Sequence, residues 1–565
     1  MPDGPPHSEI SDAPLPMTSA SSAATAVLTR LIDRGMRHVV LSPGSRSQSL
    51  ALEAARLERV GELTLHVRID ERSAGFLALG LALESAVPVA IITTSGTAVA
   101  NLHPAMLEAW HSGVPILALT ADRPSEVRGT GANQTTTQPG IFGPAVVFEA
   151  DIPAGAPVSQ LRQVVDDAYA AALASGPVHL NIGFREPLSG PADPALRDEI
   201  GGGAAEAQVP ELLARGPRTV VLAGTGAGEA AEEFARSAGW PLLAEVASGS
   251  RFGPSVIPAY RKLLALPELG GAVERAVVFG RPNLSREVPA LLSREGVQVL
   301  VVRTRGAEQF RPARRGRVVD AVAIPPDDPA TPGERAWFDQ WRSAGRSLAE
   351  RTDDIPYRGG PGSEEAAVRG ALAREELSAV RTPNTRRSLV EAVWRASWPH
   401  DRLFFAASRL IREADIALPG KRIPVRASRG LSGIDGSIST ALGIALAAQG
   451  TPRGAAGTTR AVLGDLAFLH DVGGLLRAPG EPMPRVQLIV GNDNGGTIFD
   501  GLEVAGTAEA ADFERVMLTP HAVDIAAICA AYGWHHTLAA DRGTLDRALT
   551  APHPGLSVVE VPLAR

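Results

Sequence analysis

Short apolar runs alternate along the chain with longer segments whose apolar residues recur at helical spacing. Runs at 37–41, 63–69, 87–93, 115–120 and 178–182 are rich in Val, Ile and Leu. Such continuous runs predict strands buried on both faces, as in a parallel sheet. Helical periodicity fills several of the intervals, for example 73–84 and 99–110. The first block, 20–188, therefore predicts a mostly parallel, doubly wound sheet. A second set of runs follows at 219–223, 241–245, 276–279, 297–302 and 318–323, and a third at 403–406, 423–426, 460–463, 486–490 and 556–561. Gly/Pro-rich stretches at 189–209 and 355–362 break the pattern. The fold class that follows is α/β: three doubly wound, mostly parallel-sheet domains at 20–188, 210–354 and 385–565. Linkers at 189–209 and 355–384 join them, behind a tail at 1–19. The pairs Trp337/Trp341 and Trp394/Trp398 stand four residues apart and are assigned to helix packing.

The length of 565 residues agrees with three domains of roughly 100–200 residues each. Lys and Arg number 55 against 62 for Asp and Glu, a formal net charge of -7, and no long basic run stands out. That excludes a nucleic-acid footprint but not local arginine clusters, which a net charge averages away. The only cysteine is Cys529, so no intramolecular disulfide and no cysteine metal cluster can form. No apolar segment approaches the ~18 residues that span a bilayer. The Pro-, Ser- and acid-rich start lacks the basic and apolar regions of a secretory signal, which predicts a disordered tail on a cytoplasmic protein.

Chemistry concentrates where strands end. Gly464-Asp465-Leu466 follows one apolar run, and Gly491-Asn-Asp493-Asn-Gly495-Gly496 follows the next, with Asp493 placed 28 residues after Asp465. In an open α/β sheet the strand ends are where ligands bind. Two carboxylates there, with glycine permitting close backbone approach, suit a hard cation holding a diphosphate. Asp465 alone reads as a helix N-cap. In the first block, Glu71 follows a strand and opens a helix of small residues. From position alone it reads as a first-turn acid favoured by the helix dipole. Gly224-Thr-Gly-Ala-Gly228 follows a strand, but Glu229 stands where a dinucleotide fingerprint needs Gly or Ala. There is no G-x-S-x-G elbow, no Walker loop and no H-E-x-x-H.

Taken as a set, further motifs carry a resemblance. They are Ser42-Pro-Gly-Ser45-Arg46-Ser47, Asp70-Glu71-Arg72, Thr94-Ser-Gly-Thr-Ala-Val-Ala-Asn101, Thr120-Ala-Asp-Arg-Pro124, Gly131-Ala-Asn-Gln134 and Ser428-Arg-Gly-Leu-Ser-Gly-Ile-Asp-Gly436. With Gly464-Asp-Leu and Asn492-Asp-Asn-Gly-Gly, they resemble the thiamine-diphosphate-dependent 2-succinyl-5-enolpyruvyl-6-hydroxy-3-cyclohexene-1-carboxylate (SEPHCHC) synthase family of menaquinone biosynthesis. The motifs lie in the first and third blocks; the middle block matches only in general character.

The resemblance implies three domains of the thiamine-diphosphate enzyme type, with the pyrimidine-binding domain first and the diphosphate-binding domain last. It implies decarboxylation of 2-oxoglutarate and joining of the succinyl unit to isochorismate; the alternative is another thiamine-diphosphate-dependent 2-oxoacid decarboxylase or carboligase. Glu71 matches the carboxylate that shares a proton with the cofactor's pyrimidine ring. Ile434 matches the apolar wedge that bends the cofactor. Asp465, Asp493 and the carbonyl of Gly495 match the Mg2+ site, a set that manganese also suits. Asp493 departs from the wider thiamine class, which often carries Asn there, and Leu466 replaces that class's Gly. Ser45, Arg46, Arg123, Asn133, Gln134, Arg286, Ser408, Arg412 and Arg429 match the polar and basic substrate pocket, and Ile498 and Phe499 its apolar wall. Guanidinium groups suit the purpose because they grip carboxylates bidentately. The expected assembly is a homodimer or a dimer of dimers, with each site built by two subunits. The twelve histidines are expected to play no part, His470 being assigned to packing or surface.

Overall fold

The computed structural model describes residues 18–191, 209–306, 308–350, 380–452 and 454–565. Most of the expected tail and linkers lies outside these residues. Three parallel sheets emerge. The first joins β1 (His38–Leu41), β2 (Thr64–Val67), β3 (Val89–Thr93), β4 (Ile116–Asp122), β5 (Phe148–Ile152) and β6 (Val178–Gly183) in the order β2-β1-β3-β4-β6-β5. The middle region adds β7 (Glu211–Leu212), β8 (Thr219–Ala223), β9 (Leu242–Ala244), β10 (Arg275–Phe279), β11 (Gln298–Val302), β12 (Arg317–Val319) and β13 (Val322–Ala323). Its main sheet runs β12-β11-β10-β8-β9, while β13 pairs with β7. The last sheet holds β14 (Arg402–Phe405), β15 (Val425–Ala427), β16 (Thr459–Gly464), β17 (Val486–Asn492), β18 (His535–Leu538) and β19 (Leu556–Pro562), ordered β15-β14-β16-β17-β19-β18.

Counted within its own sheet, the last order repeats the first strand for strand. In both, the chain reverses direction across the sheet beside its first strand. That makes a topological switch point between β1 and β3, and another between β14 and β16, where the strand ends open a crevice.

The two matching domains share one hydrophobic core, which runs from Val40, Phe76 and Ile91 to Phe404, Ile438 and Leu488. Its centre is a pair of helices, Glu71–Ser85 and Ser437–Gln449, both buried along most of their length. Asp70 caps the first by accepting from the Arg72 and Ser73 amides. Glycine lets the helices touch backbone to backbone. A Cβ on Gly80 would lie 2.1 Å from the Thr440 carbonyl oxygen, and one on Gly443 2.3 Å from that of Leu77. Overfilling a packed interior costs about 1–3 kcal/mol, so this contact fixes how the first and last domains sit together. Glu84 pairs with Arg402 and Arg426 at one end of the contact, and Arg68 with Glu481 at 2.9 Å.

Some expectations need correction. The run 318–323 is split, because β12 stays in the main sheet while β13 leaves it to pair with β7. The expected helix 99–110 breaks at Asn101 into Thr97–Ala100 and His103–Ser112. Trp337 and Trp341 pack edge to face, with ring centroids 5.7 Å apart, as expected. Trp398 does not pair with buried Trp394: the helix ends at Ala396 and Trp398 is 58% exposed.

Candidate active site

β16 and β17 are parallel neighbours, in register through Gly464 and Gly491, so Asp465 and Asp493 leave adjacent strand ends. Both are buried. Asp465 Oδ1 accepts from the Leu466 amide at 2.8 Å, and Oδ2 from the Gly495 amide at 2.8 Å and from His521 Nε2 at 3.0 Å. Asp493 Oδ2 accepts from Arg386 at 2.7 Å and from the Thr497 hydroxyl. The turn between strand and cradle is tight. Asn494 and Gly495 have φ of 56° and 137°, and a Cβ on Gly495 would meet the Leu518 carbonyl oxygen at 2.3 Å. Glycine is thus required there on both counts. Burial raises the Asp465 carboxyl above its ordinary value, and the neighbouring Asp493 adds to the rise. Two buried acids side by side ask for a cation.

Among the described residues no cluster of three or more His, Cys, Asp or Glu is placed to hold a metal. The donor set here is instead two carboxylates and a backbone carbonyl. Asp493 Oδ1 carries no hydrogen bond among the described residues, so it is free for a ligand. This all-oxygen, incomplete set fits a hard divalent cation such as Mg2+, which would take further oxygen ligands from outside the chain. Ile498 and Phe499 follow at once in the 3₁₀ turn Thr497–Gly501, both half-buried. His521 is a site residue that the sequence reading missed. It is fixed by its own amide, which donates to Asn494 Oδ1 at 3.0 Å. His470 is no part of this cradle; its carbonyl accepts from Arg72 at 2.8 Å.

The ends of the first sheet gather the other motifs. Ser42–Ser47 leaves β1 and packs on the turn after β3; a Cβ on Gly44 would lie 2.3 Å from that of Thr94. Arg123, at the end of β4, donates to Ser95 Oγ at 3.0 Å and to the Asn133 carbonyl at 2.9 Å. Gln134 donates to the Ser95 carbonyl at 3.0 Å, and Ser95 Oγ donates back to the Gln134 carbonyl at 2.9 Å. Arg46 lies beside Glu186 at 3.6 Å; burial first, then Arg123, lowers its guanidinium from the ordinary value. Ser45, Asn133 and Gln134 are exposed. Arg46, Arg123, Asn133 and Gln134 thus form one polar group. Glu71, half-buried at the start of its helix, accepts from Asn101 Nδ2 at 3.2 Å. Asn101 is a second missed residue, although its motif was visible.

A second basic group joins the middle and last domains. Ser408 caps the helix Arg409–Ala417, which carries Arg412. Arg409 reaches back to the Thr497 carbonyl at 3.2 Å, tying that helix to the cradle. Burial first, then Arg261 and Arg286, lowers the Arg412 guanidinium, which brings the middle-domain Arg286 into the group. Arg429 is 6% exposed and is bound by Asn283. Ile434 is half-buried against the shared core, in a loop pinned at Gly436, where a Cβ would fall 1.9 Å from the Phe76 ring.

Beneath this group lies a buried ionic network. Asp415 accepts from the Val246 amide at 2.8 Å, Arg251 at 3.0 Å and the Tyr260 hydroxyl at 3.0 Å. Glu245 accepts from the Leu284 amide at 2.7 Å, and its other oxygen has no partner. Burial, reinforced by Asp415, pushes the Glu245 carboxyl up to about 8. A pKa raised on folding means the folded state holds its proton more tightly. The stability this contributes is complete below the ordinary value near 4.5 and is lost as pH rises through about 8. The thermal midpoint of the wild type should therefore fall relative to that of Glu245→Gln across this window. Parallel midpoint curves for the two proteins would contradict it.

The family model described as "Thiamine pyrophosphate enzyme, N-terminal TPP binding domain" matches residues 21–141. A SEPHCHC synthase of Leifsonia xyli subsp. xyli is 52% identical, covering 99% of this chain and 100% of its own. The synthase of Clavibacter michiganensis subsp. michiganensis is 52% identical, covering 98% of each chain. That of Kineococcus radiotolerans is 45% identical, covering 97% of each. Among solved structures, benzoylformate decarboxylase from Polynucleobacter necessarius superposes with a TM-score of 0.64 over 97% of this chain and 99% of its own. At 16% identity this is a likeness of fold alone.

Proposed function

The chain belongs to the SEPHCHC synthase family, and from that membership we propose how its residues divide the work. It is a thiamine-diphosphate-dependent carboligase of menaquinone biosynthesis, decarboxylating 2-oxoglutarate and joining the succinyl unit to isochorismate. When bound, thiamine diphosphate supplies a nucleophilic thiazolium carbon and an electron sink. Asp465, Asp493 and the Gly495 carbonyl hold Mg2+ and, with it, the diphosphate; manganese fits the same set. Ile434, half-buried against the shared core, would pack against the cofactor. Glu71 holds a proton at the pyrimidine ring nitrogen, with Asn101 orienting its carboxylate. Arg46, Arg123, Asn133 and Gln134 on one side, and Arg286, Ser408, Arg412 and Arg429 on the other, bind the carboxylates and polar groups of the two substrates. Ser45 belongs to the first set, and Ile498 and Phe499 wall the pocket.

We place the enzyme in the cytoplasm as a homodimer or a dimer of dimers, with Glu71 of one subunit serving the cradle of its partner. The arrangement within one chain supports this. Arg72 and Ser73, next to Glu71, bind His470 and Asp471, at the far end of the Asp465–His470 helix from Asp465. Ile69, two residues before Glu71, is 75% exposed, an apolar side chain that a second subunit would cover. Among the described residues no helix is long and apolar enough to cross a membrane.

One observation carries the reading: two buried carboxylates at adjacent strand ends, closed by a turn that only glycine can make. The test is carbon dioxide release from 2-oxoglutarate, expected to need thiamine diphosphate, a divalent metal and isochorismate for full turnover. Faster release from pyruvate, indifferent to isochorismate, would assign the chain to a different carboligase.

A further inference from the structure

We propose that Asn283 of the middle domain is a positioning residue of the substrate pocket: it aims the Arg429 guanidinium and leaves its charge uncancelled. The proposal rests on the reading of Arg429 as a carboxylate-binding residue. Arg429 Nε donates to Asn283 Oδ1 at 3.0 Å, and Nη2 donates to the same oxygen at 2.9 Å and to the Asn283 carbonyl at 3.0 Å. Asn283 Nδ2 returns a bond to the Arg429 carbonyl at 3.1 Å. Side chain and backbone of Arg429 are thus both gripped by one residue from another domain. Nη1 makes no hydrogen bond among the described residues, so one donor group remains for a ligand.

The loop beneath is fixed from the opposite side by the first domain. Glu108 accepts from the Gly430 amide at 2.8 Å and from the Leu431 amide at 2.7 Å. A Cβ on Gly430 would meet Ser112 Oγ at 2.7 Å and the Glu108 carbonyl oxygen at 2.9 Å, so the loop has no room to turn. Asn283 is itself anchored, since the next amide, Leu284, donates to buried Glu245. Residues of all three domains therefore meet at Arg429 and the two residues after it.

The chemistry of the partner is the telling point. A carboxylate in place of Asn283 would accept the same guanidinium bonds more strongly, although it could not return the bond from Asn283 Nδ2 to the Arg429 carbonyl. It would also neutralise the arginine and weaken its pull on an anionic substrate. A neutral amide fixes the planar fork and spares the charge. Burial, with Arg412 beside it, lowers the Arg429 guanidinium from its ordinary value against the opposing pull of Glu245, Glu108 and Asp415, and the free Nη1 is where an incoming carboxylate would add a direct partner.

The test uses the assembled holoenzyme. Asn283→Asp keeps the shape and the atoms that accept from the guanidinium but loses the Nδ2 donor to the Arg429 carbonyl. Thiamine diphosphate affinity should therefore match the wild type, while the thermal midpoint falls by no more than that of Asn283→Ser, which loses the same donor. The KM of at least one carboxylate substrate should rise tenfold or more. Asn283→Ser, neutral but too short to hold the fork, should raise the same KM and stands in if the Asp variant does not fold. Adding Asn283→Ser to Arg429→Ala should cost nothing beyond Arg429→Ala alone, because a residue that acts only through another has no effect without it. Wild-type KM values in Asn283→Asp, beside a raised KM in Arg429→Ala, would overturn the positioning role alone. Unchanged KM values in Arg429→Ala would overturn the reading of Arg429 and the proposal with it.

Discussion

Glu71→Gln should bind thiamine diphosphate and metal as the wild type does and turn over about 10²–10⁴ times more slowly, the usual worth of a positioned acid–base group. The two carboxylates of the cradle are untouched by this change, and Gln fills the same volume at the same helix start. What is lost is a group that can hold and yield a proton. The site is built to keep that group in one place. Asp70, directly before it, caps the helix through the Arg72 and Ser73 amides, so the backbone at Glu71 cannot swing. Asn101 holds one carboxylate oxygen at 3.2 Å. Calorimetric cofactor affinity and the rate of carbon dioxide release, measured on the same preparation, check the prediction. A wild-type rate in Glu71→Gln would remove Glu71 from the chemistry. Weakened cofactor binding with a proportionate loss of rate would make it a binding residue only.

The parts of this molecule that were legible in the sequence are those where information is local. Buried central strands announce themselves as apolar runs, and β8 lies at 219–223, where the run is. The three strands that escaped notice, β5, β7 and β18, lie at sheet edges, and β7 is only two residues long. Phe148-Glu-Ala-Asp-Ile alternates and His535-His-Thr-Leu is half polar, because one side of each strand faces outward. The helical run at 99–110 failed for another reason: Pro104 has no amide hydrogen and its ring would clash with the Ala100 carbonyl. One helix therefore ends at Ala100 and the next begins at His103, with the Asn101 amide donating to Glu71 at the break. The carboxylate cradle was readable because Asp465, Asp493 and Gly495 each belong to a short motif at a strand end. The residues that brace the site were not. Asn101 is 30 positions from Glu71, His521 is 56 from Asp465, and Arg386 is 107 from Asp493. Asn283 lies 146 from Arg429, and Glu108 lies 322 from Gly430. Nothing in the spacing of such residues marks them as partners; only the folded arrangement of three domains does.

The two cradle carboxylates, proposed to hold Mg2+, should not respond alike to loss of charge. Asp465→Asn should raise the Mg2+ concentration for half-maximal activity more than 100-fold, beyond the roughly 10–100-fold that changes behind a metal ligand produce. Three donors point at the Asp465 carboxylate: the Leu466 amide on Oδ1, and the Gly495 amide with His521 on Oδ2. An asparagine amide has one accepting oxygen. Whichever way it turns, its NH2 group meets a buried N–H, and an unmet buried polar group costs about 1–3 kcal/mol. The change therefore removes a ligand and disturbs the turn that presents the Gly495 carbonyl. Asp493→Asn is a gentler case. Its Oδ2 accepts from Arg386 and Thr497, and Oδ1 is free. An amide placed with its oxygen toward either group keeps part of that pattern, and the wider thiamine class often carries Asn at this position. Its Mg2+ requirement should rise by less than that of Asp465→Asn. Calorimetric metal titration of the two variants, with and without thiamine diphosphate, measures this without relying on turnover. Equal losses, or a larger loss at Asp493, would mean that the buried hydrogen bonds around Asp465 do not set the cradle, and that Arg386 and Thr497 do.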